Sequence, residues 1–494
     1  MHPQATEESH ALKRSVRLGM LALAARSALQ HLVVLVANVF IARWLDPADF
    51  GIFGILQFAL AFLRMVSDAG LGAALVQQRD APNDADLSTI WWFQLGLGLA
   101  LTAASFALAP LLPRIWPTMP AGANWLLPGL ALGLLFTMLQ AVPFLLLERD
   151  VRFGWLGTIE FIGTVVFYGS ALLLAARHAG PAALVAASVG QAAVVAIAAN
   201  LVHPWRPRLA FDMNVLRRLL KFGVAFQGGN AIGFVNGAVT PLVVGARLGS
   251  ESLGLIQFAE STAFFPSTVV GIVRRVYFPF LCRLQADRDA FRREFEEGVT
   301  LAALPSFFFF GLLSAIGPSV ILVIYGDKWT PAVSSIYVYS FGFCFTFFSW
   351  IGDAAMAALD DMVLLFKIKV FTSVLNWSLT LGAIAFAPTP LAFAIGYCVH
   401  LVLTPALIYA SIRRRVPALR LLPRIAPLVP AALIVLFLGR AGLFSVDTPA
   451  RLVAFVLLAA LTFSGAVLVA HPALRKKSVE KLRAVLRRIA IDGP

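Results

Sequence analysis

Seven side chains sit where a membrane helix would ordinarily place leucine. Arg26, Arg64 and Arg274 lie in, or close the end of, long apolar runs, and so do Gln30, Gln57, Asp68 and Glu260. An ionisable group in such a run costs about 3 kcal/mol or more unless it faces water or a partner, so each is a functional candidate by default. Arginine keeps its charge at any accessible pH and can grip an oxyanion through two parallel bonds. A carboxylate can take up a proton or hold a cation. The chemistry open to such a set is therefore binding and release of an anion, with a carboxylate available for coupling. Covalent catalysis has no comparable support. The seven histidines (2, 10, 31, 178, 203, 400 and 471) are scattered, with His31 and His400 single on apolar helices, and no GxxxxGK[ST] phosphate loop occurs.

Spacing places several of these residues together. At 100° per residue, Gln57, Arg64 and Asp68 fall within about 40° of one another, a polar stripe on an otherwise apolar helix. Arg26 lies about 12 Å into its own helix, with Gln30 one turn on. Glu260 has no basic residue within a turn and is the strongest of four intramembrane carboxylates, the others being Asp68, Glu160 and Asp353. Plainer roles stand beside these. Arg64 and Asp68 have the i,i+4 spacing of a self-neutralising pair, Arg26 could snorkel to the interface, Arg274 and Arg275 could be simple anchors, and Glu260 could be a neutral carboxyl tying helices together.

The elements that must position these residues are membrane helices. Of 494 residues, 59% are hydrophobic and 13% charged, and the mean hydropathy is +0.82. Soluble domains carry about 25% charged residues, and disordered chains are less apolar still. Both classes are excluded. Cys282, Cys344 and Cys398 show neither metal-site nor redox spacing and read as core residues. Apolar runs predict spans near 18–42, 51–76, 88–110, 124–147, 155–176, 181–202, 222–246, 253–273, 299–324, 332–358, 364–386, 390–412, 424–439 and 451–470. With the N-terminus in the cytoplasm, the inner segments hold 31 of the 40 Lys and Arg and the outer connections 7. This is the positive-inside pattern, so topology accounts for most of the +14 net charge without nucleic acid as a partner. The basic segment 473–490 reads as an amphipathic helix on anionic membrane lipids or as an ordinary anchor, and 283–297 as a charged connector helix in the cytosol.

Halving the chain exposes a repeat. At an offset of 204, Arg17, Gly19, Ala42 and Arg43 match Lys221, Gly223, Ala246 and Arg247. At 203, Leu45, Phe50, Gly51 and Ile52 match Leu248, Leu253, Gly254 and Leu255. The shift sets Gln57 against Glu260, Arg64 against Ser267 and Asp68 against Gly271, and the earlier offset sets Arg26 against Asn230. Each copy carries six spans, an even number, so the copies enter the membrane in the same direction, with a shared site expected between them. The expected fold is an all-α polytopic membrane protein of about fourteen transmembrane helices: an N-terminal lobe (1–211), a pseudo-symmetric C-terminal lobe (212–412), two extra spans (413–472) and a cytoplasmic tail (473–494).

The LDPADFGIF turn at 45–53, its second copy at 248–256, VRRVYFP at 273–279 and YGDKW at 325–329 resemble the polysaccharide (Wzx-type) flippases of the multidrug/oligosaccharidyl-lipid/polysaccharide exporter superfamily. The resemblance covers nearly the whole chain. It implies two six-helix lobes around a central cavity that turns undecaprenyl-diphosphate-linked oligosaccharide from the inner to the outer leaflet of a bacterial inner membrane, with both termini cytoplasmic. Arg26, Arg64 and Arg274 would supply the cationic wall, since arginines on the first, second and eighth helices line the cavity of the related lipid II flippases. Gln30 and Gln57 would add hydrogen bonds, and Glu260 and Asp68 would couple turnover to H+ or Na+. The resemblance implies no cofactor and no metal, and admits polysaccharide assembly proteins as partners. Two rivals are a drug exporter of the same superfamily, for which acidic inner stripes and twelve spans are expected, and a glycan polymerase or ligase, for which a large external loop is expected. The longest outer connection here is 111–123.

Overall fold

The computed structural model describes residues 29–480 apart from 31–32, 69–82, 151, 442–445, 473–474 and 477–479. Arg26, His31, Arg79, the N-terminal segment and most of the basic tail lie outside the described residues. Among the described residues the regular structure is helical throughout, with no strand. The chain divides into two compact units, Met1–Glu251 and Ser252–Pro494.

The first unit contains α1 (Val33–Trp44), α2 (Pro47–Asp68), α3 (Asp84–Leu108), α4 (Leu126–Arg149), α5 (Phe153–Ala175), α6 (Pro181–Val202) and α7 (Met213–Val239). Local sequence sets their ends. The Asn83 side chain accepts from the Asp86 amide to cap α3, and Asp212 caps α7 by accepting from the Asn214 amide. Pro181 occupies the first turn of α6, where its missing N–H is no loss. Small residues let backbones approach in a bilayer, where no hydrophobic drive separates helix from lipid. Accordingly Ala171 and Ala175 of α5 meet Ala183 and Ala187 of α6 in a core with Ile41 and Leu45. Interhelical hydrogen bonds reinforce it: Asn38 donates to the Tyr168 hydroxyl at 3.3 Å and Asn200 to the Leu139 carbonyl at 3.1 Å. Beyond α7 the helix widens into a π turn, Thr240–Val244. Pro241 there has no amide to donate, and its carbonyl accepts from the Trp116 indole at 2.9 Å.

The second unit follows from α8 (Gly249–Phe264), which straddles the boundary, through α9 (Pro266–Arg283), α10 (Arg288–Val320), α11 (Val333–Phe343), α12 (Thr346–Ala358), α13 (Met362–Phe386), α14 (Pro390–Arg415), α15 (Leu428–Arg440) and α16 (Pro449–Ala470). Its core runs from Phe291, Phe295 and Val299 through Phe347 and Ile351 to Leu428, Val435 and Phe455. The close packing of α15 on α10 depends on Gly311, where a Cβ would stand 2.8 Å from the Ala432 carbonyl oxygen.

Eleven helical segments among the described residues are long and apolar enough to cross a membrane, and Val33–Trp44 and Ala231–Arg247 are shorter apolar helices. Each of these thirteen overlaps one predicted interval, and the eighth interval, 253–273, holds α8 and α9, whose hydrogen-bond ladder is interrupted at Phe265. The charged stretch 283–297 differs from its expectation as a separate solvated connector. Leu284–Asp287 form a turn, Asp287 caps α10, and one helix continues to Val320. Phe291 and Phe295 are fully buried there, so this stretch is part of the long apolar helix that follows it.

Contacts between connections respect the sides that the charge pattern assigns. Arg208 pairs with Asp84, His203 approaches Asp150, and Arg415 pairs with Asp361, all on predicted inner segments. On the predicted outer side Arg440 reaches the Tyr337 hydroxyl.

Candidate functional site

In the first unit, α2 carries the predicted stripe on one unbroken helix of 22 residues. Gln57 is half-buried and Arg64 exposed, and no described residue forms an ion pair with the Arg64 guanidinium. Asp68 closes the helix, its side chain outside the described set. Helix α7 borders this region, with the Gln227 amide 3.4 Å from the Met65 carbonyl. Gln30 is committed elsewhere: its amide donates to Thr164 of α5 at 3.0 Å, an interhelical tie. Glu160 is exposed on α5.

In the second unit the structure surrounds Glu260 with partners the sequence did not reveal. Glu260 faces the Tyr397 hydroxyl of α14, and the two groups interact electrostatically. The Tyr339 ring of α11 stands 5.7 Å from that of Tyr397, and its hydroxyl, in a fully buried residue, has no hydrogen-bond partner among the described residues. A carboxylate with a phenol and a second buried hydroxyl nearby can hold a proton or, with waters, a cation. His400, close to Tyr397, bonds Thr404 on its own helix at 3.3 Å.

Arg274 is exposed on α9, its guanidinium carbon 5.9 Å from the centroid of the Trp350 ring of α12. Cation–π contact holds the fork in place and leaves its N–H edges free to bind. One turn from Trp350, Asp353 receives Lys369 of α13 at 2.9 Å. Asp353 was a candidate carboxylate, whereas Lys369 counted only toward topology. The two are sixteen residues apart across a turn, and no helical periodicity links them. Glu296 was also missed. Nearly buried, it accepts from the Arg420 amide at 2.9 Å and from Arg424 Nε at 3.0 Å, fastening the segment before α15 to α10.

The fold is that of a polytopic helical membrane protein. It is similar to the structure titled lipid II flippase MurJ in an inward closed conformation, with a TM-score of 0.77 at 14% identity, covering 92% of this chain and 99% of that one. An inward-facing multidrug resistance MATE family transporter gives a TM-score of 0.62 at 13% identity over 79% of this chain and 95% of the other. Residues 40–334, more than half of the chain, match the polysaccharide biosynthesis protein family, and the chain belongs to it. The resemblance to its Wzx-type members drawn from the turn motifs holds. Relatives include the lipopolysaccharide biosynthesis protein WzxC of Escherichia coli, 23% identical over 60% of this chain and 61% of the relative. The teichuronic acid biosynthesis protein TuaB of Bacillus subtilis is 25% identical over 55% and 56%. The succinoglycan biosynthesis transport protein ExoT of Rhizobium meliloti is 27% identical over 59% of each. The chain thus matches less than two thirds of the length of each of these relatives.

Proposed function

We propose that this protein is a flippase that carries undecaprenyl-diphosphate-linked oligosaccharide repeat units from the cytoplasmic to the periplasmic leaflet of a bacterial inner membrane, for capsule, exopolysaccharide or O-antigen synthesis. It works by alternating access through a cationic cavity and makes or breaks no bond. Family membership and the names of the relatives support the substrate class. The observation that carries the reading is Arg274: a guanidinium in mid-helix, exposed, and set over Trp350 without an acid at ion-pair distance among the described residues. Arg274 follows the predicted eighth span, 253–273, directly, so its charge sits at the membrane boundary, where an anionic headgroup can meet it. The cargo's diphosphate supplies the anion while its tail stays in the bilayer. Arg26 and Arg64 complete the cationic set, with Gln57 beside them, while Gln30 is taken up by its bond to Thr164. Glu260, beside Tyr397, and Asp68 are the carboxylates for H+ or Na+ coupling.

Deletion separates this role from its rivals. Finished, lipid-linked repeat units should accumulate on the cytoplasmic side, protected from an externally added glycosidase until the membrane is opened. Truncated units would point to a transferase, and complete units already accessible outside would point to a polymerase. Either pattern contradicts the flippase reading.

A further inference from the structure

In the second unit, α9, α12 and α13 bring together two cations and one carboxylate that the cargo reading uses only in part. Lys369 Nζ lies 2.9 Å from Asp353 Oδ2. The other carboxylate oxygen, Oδ1, is buried and has no hydrogen-bond partner among the described residues. Trp350 and Asp353, three residues apart on α12, share a face, and the guanidinium stacked on that tryptophan is near enough for its charge to bear on Asp353. The three charged groups stand toward the inner side of their helices. At 1.5 Å per residue, Asp353, Lys369 and Arg274 stand roughly 7–14 Å from the ends of α12, α13 and α9 that the charge pattern places on the inner side.

The cluster is unlike a set of membrane anchors. An anchoring lysine extends along its own helix toward the headgroups, whereas Lys369 is turned across to the neighbouring helix. The cluster also carries one more positive than negative charge. The Lys369 side chain keeps 35% of its surface exposed, so the ammonium retains donors for a further acceptor. An excess cation near the end of a span is stabilised by water or a second anion.

We infer that Lys369 and Arg274 bind the phosphate groups of the lipid-linked cargo, and that Asp353 is the resident counter-ion the cargo displaces from Lys369. This rests on the flippase reading and deepens it. In the empty site Asp353 lowers the cost of keeping Lys369 charged in the membrane. When a diphosphate arrives, its oxygens take over the lysine while Arg274 grips from the tryptophan shelf. Exchange has a transport advantage over simple addition. A site of cations alone would hold a diphosphate too firmly to release it, whereas a carboxylate waiting to reclaim the lysine weakens the bound state and speeds unloading.

The test is the affinity of the purified full-length protein for undecaprenyl diphosphate, with inorganic diphosphate and undecaprenol as competitors. Lys369→Met should weaken binding about tenfold, and Asp353→Asn should tighten it about tenfold, each equivalent to about 1.4 kcal/mol. Lys369→Met/Asp353→Asn should resemble the lysine variant, because the lysine on which the carboxylate acts is gone. Opposite signs are the signature, since an ion pair that only joins helices loses stability from either side and leaves affinity unchanged or lowered in both. Single variants that shift affinity in the same direction, or not at all, overturn the inference. Should Asp353→Asn fail to fold, Lys369→Arg decides: near-normal binding there with loss in Lys369→Met supports the lysine contact, and equal affinities overturn it. Inorganic diphosphate competing as well as the lipid would assign the cluster to a free anion, and undecaprenol competing equally would remove the phosphate altogether. Both overturn the proposal. A wild-type protein that binds no undecaprenyl diphosphate overturns the flippase reading and this inference together, whereas a binding wild type with unresponsive variants overturns this inference alone.

Discussion

The two copies of the repeat use one entry turn to begin two different helices. In the first copy the turn is closed by a side chain, the Asp46 amide donating to Asp49 at 3.0 Å, and α2 then runs unbroken to Asp68. In the second, Gly249 makes the turn with φ at 90°, and the Thr118 side chain would stand 3.2 Å from any Cβ placed there. In the helix that follows, the hydrogen-bond ladder is interrupted between Phe264 and Pro266, although Phe265 keeps helical φ and ψ of −47° and −42°. Proline donates no amide hydrogen and crowds the carbonyl four residues back, so position 266 tends to interrupt the helix, where the matching Leu63 does not. The polar groups differ in the same sense. The first copy carries Gln57 and Arg64 along one helix, whereas the second carries Glu260, beside Tyr397, before the proline and Arg274, stacked on Trp350, after it. The second copy thus carries its carboxylate and its cation on either side of a proline, where the first copy carries its polar groups along one unbroken helix.

The most damaging test of this division removes the cations from both copies. With each charge-assisted contact worth about 1.5–3 kcal/mol, the Arg26→Ala/Arg64→Ala/Arg274→Ala protein should lose about 100-fold or more of glycan export while remaining inserted. Normal export from that variant would end the cationic-cavity proposal.

Exchanging the helix breaker tests the comparison itself. Leu63→Pro places a proline in the buried middle of α2 and should cost about 3 kcal/mol or more, read as lost thermal stability in detergent. Pro266→Ala should leave the protein folded and at least as stable, yet slow its turnover by joining α8 to α9. Unchanged transport in Pro266→Ala would show that the break has no part in the cycle.

Glu260→Gln should flatten the dependence of export on pH or on the coupling cation, with a smaller loss of maximal rate, about tenfold. Tyr397→Phe should shift the same profile without abolishing it. Profiles unchanged in both would return this pair to a purely structural tie. The smallest effect belongs to Gln30. Since its amide is bonded to Thr164, Thr164→Val should lower stability by only about 0.6 kcal/mol, a typical interhelical hydrogen bond in a membrane. A large export defect at full stability would instead place Gln30 against the cargo.

Much of the helical layout was legible because glycine and proline punctuate it: Gly180 and Pro181 open α6, and it spans Pro181–Val202 against an expected 181–202. The interruption at 265 was hidden because a hydropathy window averages across a proline that follows two phenylalanines. The charged stretch at 288–297 read as solvated although Phe291 and Phe295, at i,i+4, already marked a buried face. Arg64, Arg274 and Glu260 were visible as singular charges in apolar runs. Tyr397, Tyr339 and Lys369 were not, because a tyrosine on an apolar helix resembles core and a lysine near a helix end resembles topology. Their roles arise only when α11, α13 and α14 pack.

The most direct measurement is leaflet exchange by the purified protein in liposomes, using fluorescent undecaprenyl-diphosphate-linked oligosaccharide whose label an impermeant reagent can quench from outside. Flippase action predicts that liposomes containing the protein, under an imposed ion gradient or membrane potential, expose the inner-leaflet pool to quenching, that protein-free liposomes do not, and that the recovered lipid is chemically intact. Exposure no faster than in protein-free liposomes, or a lipid recovered with its glycan extended or cleaved, would contradict it.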